Sequence, residues 1–454
     1  MWNEGHLLTA DPGLELDATE SQGPIEEGGK YIFAFFWLFT LAVFGRPEDI
    51  FPALAVFHFP LVFATCGLMA YLFALCLGRA RFVWSTELVV ILILTFWFTL
   101  GIPFAFWRSG SLEVLTEQWC RTVIGFFLLT QTLTSIGRVR KLVWAIVLSE
   151  MVATVASLAL QGQQAIEQGA RLEGVNRGML GWNFFGITFA ASIPYFSALY
   201  MSRQSAARAA FLAAIVAPMM WMLVLTASRG GFMNVVLSIV LSWWFMFRSN
   251  SRGRILTVLV IISLMIVIAK APPVFLQRLQ SIWGTETAYE EDNVASAQES
   301  TESRELQLNR SLKYTFEYPV FGVGLGNFPV INGSELRNPS AWYGTHNTYT
   351  QISSEGGIPG LLLFVFLLVT VTRKAKRLSD EIARESANTE MYLLSRASFV
   401  SLLSFAFGAC FAHLGYGYFV YYLLGIAAAL WTISRGTRES APESDSLIAH
   451  SVAR

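Results

Sequence analysis

Trp342–Gly360 reads WYGTHNTYTQISSEGGIPG. The stretch holds one histidine, a run of hydroxyl and amide side chains, then paired glycines and Pro359-Gly360, and the apolar run LLLFVFLLV follows at once. A polar segment that hands the chain directly into about 16 apolar residues is read as the lip of a membrane span. Reading outward, apolar blocks of similar length recur on both sides. The chain has 454 residues, 54% hydrophobic and 14% charged, where an ordinary soluble domain carries about 25% charged residues. The fold class is therefore an all-α polytopic membrane protein.

Twelve spans are expected, at roughly 31–45, 53–77, 86–104, 117–134, 142–160, 181–200, 210–227, 231–247, 254–270, 357–372, 397–415 and 417–433. Basic residues mark one face. Arg79 and Arg81, then Arg138, Arg140 and Lys141, then Arg203 and Arg208, then Arg248, Arg252 and Arg254, then Arg373, Lys374, Lys376 and Arg377 fall in alternate loops. That face is taken as cytoplasmic. It leaves 1–30 as a disordered cytoplasmic leader without signal-peptide features, 31–433 as one transmembrane domain, 271–356 as a large periplasmic loop and 434–454 as a disordered cytoplasmic tail.

The formal net charge is zero, and no basic stripe points to nucleic acid. Cys66, Cys76, Cys120 and Cys410 lie in apolar runs without CxxC spacing, so neither disulfide nor metal is implied. Glu87, Glu117 and Glu150 are read at or near span ends, which speaks against ion-coupled transport.

Within the long loop, Trp283–Ser303 is rich in Glu, Ser, Thr and Ala and reads as mobile. Leu306, Leu308, Leu312, Tyr314 and Phe316, set among Arg304, Arg310 and Lys313, suggest a helix on the membrane surface. Pro319 ends it, and FGVGLGNF (321–328) is a glycine-spaced turn region that can press on the bilayer or on other loops.

Five arginines and one histidine carry candidate chemistry. Arg229 sits in TASRGG (226–231), a tight turn between two apolar runs; it is either an interfacial arginine reaching water or a paired charge with a task. Arg171 and Arg177 stand in an outer loop against the positive-inside bias, facing either Glu167 and Glu173 or a phosphate, with Asn183 a helix cap or a ligand. Arg304 and Arg310 pair either with local carboxylates or, through their planar forks, with phosphate. His346 is one of five histidines, and His58 and His413 fall in or beside spans. A lone histidine is more often a structural hydrogen-bonder, yet this one stands outside the membrane just before re-entry.

TASRGG, EYPVFGVGLGNF and THNTYTQISSEGGIPGLLLF in this order resemble the O-antigen ligase and O-antigen polymerase superfamily of bacterial membrane glycosyltransferases. The resemblance covers roughly 165–372. It implies a GT-C-like fold in the bacterial inner membrane with a periplasmic active site. It implies transfer of a glycan from an undecaprenyl-pyrophosphate-linked donor to an acceptor hydroxyl, without cofactor or metal. By the same resemblance His346 is the base, and Arg229, Arg304 and Arg171 hold pyrophosphate, with Arg310 the rival of Arg304. Asn347, Gln351 and Glu355 of the HN-x-Y-x-Q-x-x-x-E pattern are supporting residues. Partners are the lipid-linked donor, an acceptor lipid or glycan, and membrane lipids. A protein O-oligosaccharyltransferase of the same superfamily, a twelve-span secondary transporter and a non-catalytic scaffold are the competing readings.

Overall fold

The structure is a computed structural model. It describes residues 24–167, 171–172, 174–175, 184–202, 205–248, 251–271, 276, 291–336, 343–385 and 389–452, with backbone alone at 24–28, 291–301 and 437–452. Among these residues there is no strand. In chain order the main helices are α1 (Pro24–Gly45), α2 (Phe59–Cys76), α3 (Thr86–Gly101), α4 (Cys120–Thr132), α5 (Ile136–Ser157), α6 (Phe185–Met201), α7 (Ala206–Leu225), α8 (Arg229–Ser242), α9 (Ser251–Ala269), α10 (Glu291–Glu317), α11 (Phe328–Leu336), α12 (Thr348–Glu385), α13 (Thr389–Gly408) and α14 (Tyr418–Val452).

Ten helices among the described residues are long and apolar enough to cross a membrane. The two remaining expected spans are helical but fall short. α6 has 17 residues. α4 has 13 and is entered through a π-turn at Leu115–Trp119 that carries Glu117. Two edges moved as well. α12 begins at Thr348, so the HN signature forms its first turns, and α13 ends at Gly408, short of the expected 415. Both shifts arise because apolarity marks depth in a membrane, whereas caps and tertiary hydrogen bonds set helix ends.

α13 and the membrane part of α14 are central, each 72% buried within the protein, while α2, at 17%, stands at the rim. At the centre, α6 and α8 cross through glycines: a Cβ on Gly231 would lie 2.9 Å from Gly186 Cα. Small residues let backbones approach where helices must associate without help from water. Asn234 of α8 accepts a hydrogen bond from Ser404 of α13 at 3.2 Å. Glu150 lies inside α5, buried, and receives a 2.7 Å bond from Ser192 of α6. This corrects the expectation that it sits at a span end.

α3 and α12 run antiparallel and fix the two ends of the molecule. At one end Lys374 meets buried Glu87 at 2.6 Å. At the other, Trp97 donates to the Gly356 carbonyl at 2.9 Å and stacks on Phe321. Eighteen helical residues separate Gly356 from Lys374, about 27 Å at 1.5 Å per residue, close to the ~30 Å hydrocarbon core of a bilayer. The Lys374 end gathers further pairs, Arg396 with Asp380, Arg435 with Glu381, and Arg140 with Glu390.

The long loop packs at the opposite end. α10 forms over the expected amphipathic stretch. Gln307, Ser311, Tyr314 and Thr315 are buried, while Leu306, Leu308, Leu312 and Phe316 are exposed. Hydroxyl-to-hydroxyl bonding joins Thr315 to Ser353 of α12 at 2.7 Å, so the helix docks by its polar side. The segment read as mobile is helical from Glu291, and 277–290 lies outside the described residues. The glycine-spaced turn lies against α12: Val323 N donates to Ser354 O, Gly324 N to Glu355 O and Ile358 N to Pro319 O. Gly357, at φ 76°, kinks α12 at this contact, and a Cβ there would strike the Val320 carbonyl. Only glycine takes such a dihedral without strain and leaves that space.

Candidate active site

The site is assembled on the short connection between α13 and α14, residues 409–417. Asn347 caps α12, its Oδ1 accepting from Tyr349 N at 2.9 Å and Thr350 N at 3.1 Å. The asparagine of the HN pair is thus a helix cap. Thr348 N donates to Ala409 O, and Thr348 Oγ1 donates to Ala412 O at 2.6 Å while accepting from Leu414 N. Gln351 Oε1 accepts from Gly415 N at 3.0 Å. Glu355 accepts from Tyr416 Oη at 2.8 Å and from Phe328 N at 3.2 Å. Residues 348, 351 and 355 share one helical face, and that face is a bracket holding the connection and the glycine turn.

His346 precedes the cap in a left-handed conformation, φ 51°, which a β-carbon-bearing residue adopts only where its surroundings impose it. Burial foremost, then the neighbouring His413 and the Arg304 guanidinium, push its imidazole down from 6.5 to about 3. The ring is neutral at physiological pH. Its Nδ1 is buried without a hydrogen-bond partner.

Arg304 reaches this environment from α10. It lies three, seven and eleven residues before Gln307, Ser311 and Thr315, on the docked side of the helix. Arg310 points elsewhere: its Nη2 donates to Glu335 at 2.6 Å and to Tyr314 Oη at 3.0 Å. The bland alternative of a local carboxylate partner, open for both arginines in the sequence, is realised for Arg310 by a residue 25 positions away.

The second arginine region is the TASRGG turn. Ser228 caps α8, its Oγ accepting from Gly231 N at 3.2 Å, and Ala227 turns the chain at φ 48°. Arg229, half-buried, is the first residue of α8. Arg171 Nε donates to Thr226 O at 2.9 Å, and Leu172 N to Leu225 O at 3.0 Å. The loop before α6 therefore clasps the turn. Arg177, Asn183 and Glu173 lie outside the described residues. The turn also meets the connection, since a Cβ on Gly230 would lie 3.0 Å from Phe411 Cβ. Phe411 bears on the Arg229 turn and His413 on the His346 loop, two residues apart.

His413 is the residue that the sequence did not single out. Its ring centroid stands 5.5 Å from that of His346. The expected span 397–415 swallowed it because FGACFAHLGYGY is apolar enough to pass as helix. The signal that was present is Gly408 followed by Gly415 and Gly417, glycine spacing suited to a turn. Among the described residues, no three His, Cys, Asp or Glu side chains cluster as a metal site.

A multi-pass helical membrane protein with a histidine and arginines gathered at one end is the class these features define. The family model of O-antigen ligase matches residues 214–365. The match bears out the superfamily resemblance drawn from the motifs and supports an O-antigen-ligase-type function with lipid-linked glycan and acceptor substrates. It spans Arg229, Arg304, Arg310 and the whole HN signature, and leaves Arg171 and His413 outside. No curated protein matches the chain.

Proposed function

We propose that the protein transfers a glycan from an undecaprenyl-pyrophosphate-linked donor to an acceptor hydroxyl at the periplasmic face of the inner membrane, as an O-antigen ligase or polysaccharide polymerase. One observation carries this reading: the His346 loop and the Arg229 turn both pack on residues 409–415, with Arg304 close enough to His346 to act on its charge. Arg229 sits at the amino end of a 14-residue helix. A cation there is disfavoured by the helix dipole until an anion joins it, so a diphosphate suits the position. Arg171 steadies the same turn and adds charge to it.

The chemistry needs no further group. Diphosphate departs as the glycosidic bond breaks, and fixed guanidiniums meet the growing negative charge without reorganising. Neutral His346 takes the proton of the attacking hydroxyl. Diphosphate bound beside Arg304 offsets the repulsion that depresses the imidazole, so the base strengthens once donor is in place. A single displacement inverts the anomeric centre. Arg310 drops out of the diphosphate set because Glu335 and Tyr314 already occupy its guanidinium. Arg304, on the docked side of α10 and with its charge acting on His346, is the loop arginine in this reading. Asn347, Gln351 and Glu355 act by holding the bracket.

The test uses purified protein in lipid nanodiscs with a lipid-linked glycan and acceptor. His346→Ala loses about 10²–10⁴-fold in rate with folding unchanged, and Arg229→Lys loses most activity where the contact is bidentate. A His346→Ala variant working at the wild-type rate refutes the base. Lipids from a deletion strain separate the two activities: full-length glycan on the carrier marks a ligase, single repeat units a polymerase.

A further inference from the structure

Two of the five histidines of this chain stand together, and the mechanism above uses one. The His346 and His413 rings meet edge to face, with 67° between their planes. Nδ1 of each ring is buried and makes no hydrogen bond. Buried ring nitrogens without partners are uncommon and ask for a reason. The surroundings are built to bring these two together. A Cβ on Gly344, two residues before His346, would lie 2.7 Å from His413 Cε1 and 2.8 Å from its Nδ1. Only a residue without a side chain leaves the His413 ring room against this backbone. Phe184 closes on the other side, ring centroids 5.2 Å apart. Both flanks of His413 are tied to the helix headed by His346, through Thr348 to Ala412 and Leu414 and through Gln351 to Gly415. The polar face of the signature thus serves to hold a second imidazole beside the first.

We propose that His413 is the positioning residue for His346, accepting the Nδ1 hydrogen of the His346 ring. The inference rests on the reading of His346 as the base. A neutral imidazole carries one N–H and one bare nitrogen. A partner at Nδ1 keeps the hydrogen there and leaves Nε2 bare for the acceptor hydroxyl. As the hydroxyl O–H breaks, its proton passes to Nε2, and the imidazolium so formed donates its Nδ1–H to the bare nitrogen of His413. With the ring centroids 5.5 Å apart, that contact forms when the rings turn about their Cβ–Cγ bonds to aim the two nitrogens at each other. His413 takes no proton outright, so the pair carries a single positive charge. The other charged group that acts on the pair is Arg304 from α10, which acts on His346. Burial holds His413 itself neutral, down to about 4, as an acceptor must be.

The experiment compares His413→Phe, His413→Asn and His346→Ala with wild type in the nanodisc assay, each first checked for monodispersity. Phe fills the space and accepts nothing. Asn keeps an acceptor oxygen. The proposal expects His413→Phe to lose about 10–100-fold in kcat, the worth of a hydrogen bond to a charged group, with KM for the donor unchanged, and Asn to recover most of the loss. His413→Phe at the wild-type rate overturns it, and so does equal impairment of Phe and Asn, which marks packing alone. If His346→Ala is inactive while His413→Phe is not, only this inference falls. If His346→Ala is active, the base reading falls and takes this inference with it.

Discussion

The two ends of α12 are built on opposite principles. Past Lys374 the helix is laced with ion pairs: Lys374 to Glu87, Asp380 to Arg396, Glu381 to Arg435. Those three pairs join α12 to other helices, while Lys376 and Arg377 pair along α12 itself with Asp380 and Glu381. Before the Gly357 kink the helix has no charged side chain except Glu355, which Tyr416 and Phe328 satisfy. Two imidazoles there each keep an Nδ1 without a hydrogen-bond partner, and an arginine-bearing turn packs on the same connection. Charge matched within the protein builds a scaffold, and polar capacity left over builds a site.

The comparison is open to attack from both ends. Lys374→Met leaves Glu87 buried without its cation, and breaking such a pair costs about 3–5 kcal/mol. Thermal unfolding of the variant in nanodiscs should show that loss, while transfer per folded molecule stays at the wild-type level. A drop in intrinsic transfer would mean that the two ends are not separate. Arg304→Gln should do the reverse. Loss of one charge-stabilising donor lowers kcat about 10²–10³-fold, with the melting temperature nearly unchanged.

The pH dependence of stability probes the His346 end alone. His346 and His413 are held down to about 3 and about 4 in the folded protein, against 6.5 when unfolded. Below 6.5 the unfolded chain binds protons that the folded chain refuses. Stability contributed by these groups is present above that pH and is lost as pH falls toward the folded values. Melting curves of wild type should slope downward from about pH 6.5, and His413→Phe should flatten part of that slope. An unchanged slope would show that His413 does not resist protonation. The smallest effect belongs to Arg310→Gln. Its pair with Glu335 is partly exposed, worth at most about 1 kcal/mol, and transfer should stay within a few-fold of wild type. A loss as deep as that of Arg304→Gln would reverse the choice between the two arginines.

Much of this was legible in the chain. Of the twelve spans expected from blocks of apolar residues, ten are, among the described residues, helices long and apolar enough to cross a membrane, since a span must be apolar along its length whatever it packs against. The HN signature and the SRG turn could be found because each is local: a cap, a kink and a tight turn need particular residues at fixed offsets. Arg304 and Arg310 could not be separated, because both lie on one helix with the same composition around them. Their difference depends on Glu335, 25 residues from Arg310, and on which face of α10 docks. The docked face could not be read either: the helix hides Gln307 and Ser311 and shows Leu308 and Phe316, since hydroxyls of α12 offer hydrogen bonds to the polar side.

The sequence by itself determined the membrane class, the order of the helices, the superfamily resemblance and the histidine that heads α12. These rest on composition and short-range spacing, and neighbouring residues carry that information. Only the tertiary structure decided that α13 stops at Gly408, that the turn after it gathers the arginine-bearing and histidine-bearing segments, and that His413 stands against His346. Those facts depend on hydrogen bonds between residues about 65 positions apart, such as Thr348 with Ala412 and Gln351 with Gly415. No local pattern encodes a partner at that distance, because the energy that selects it arises when the helices pack.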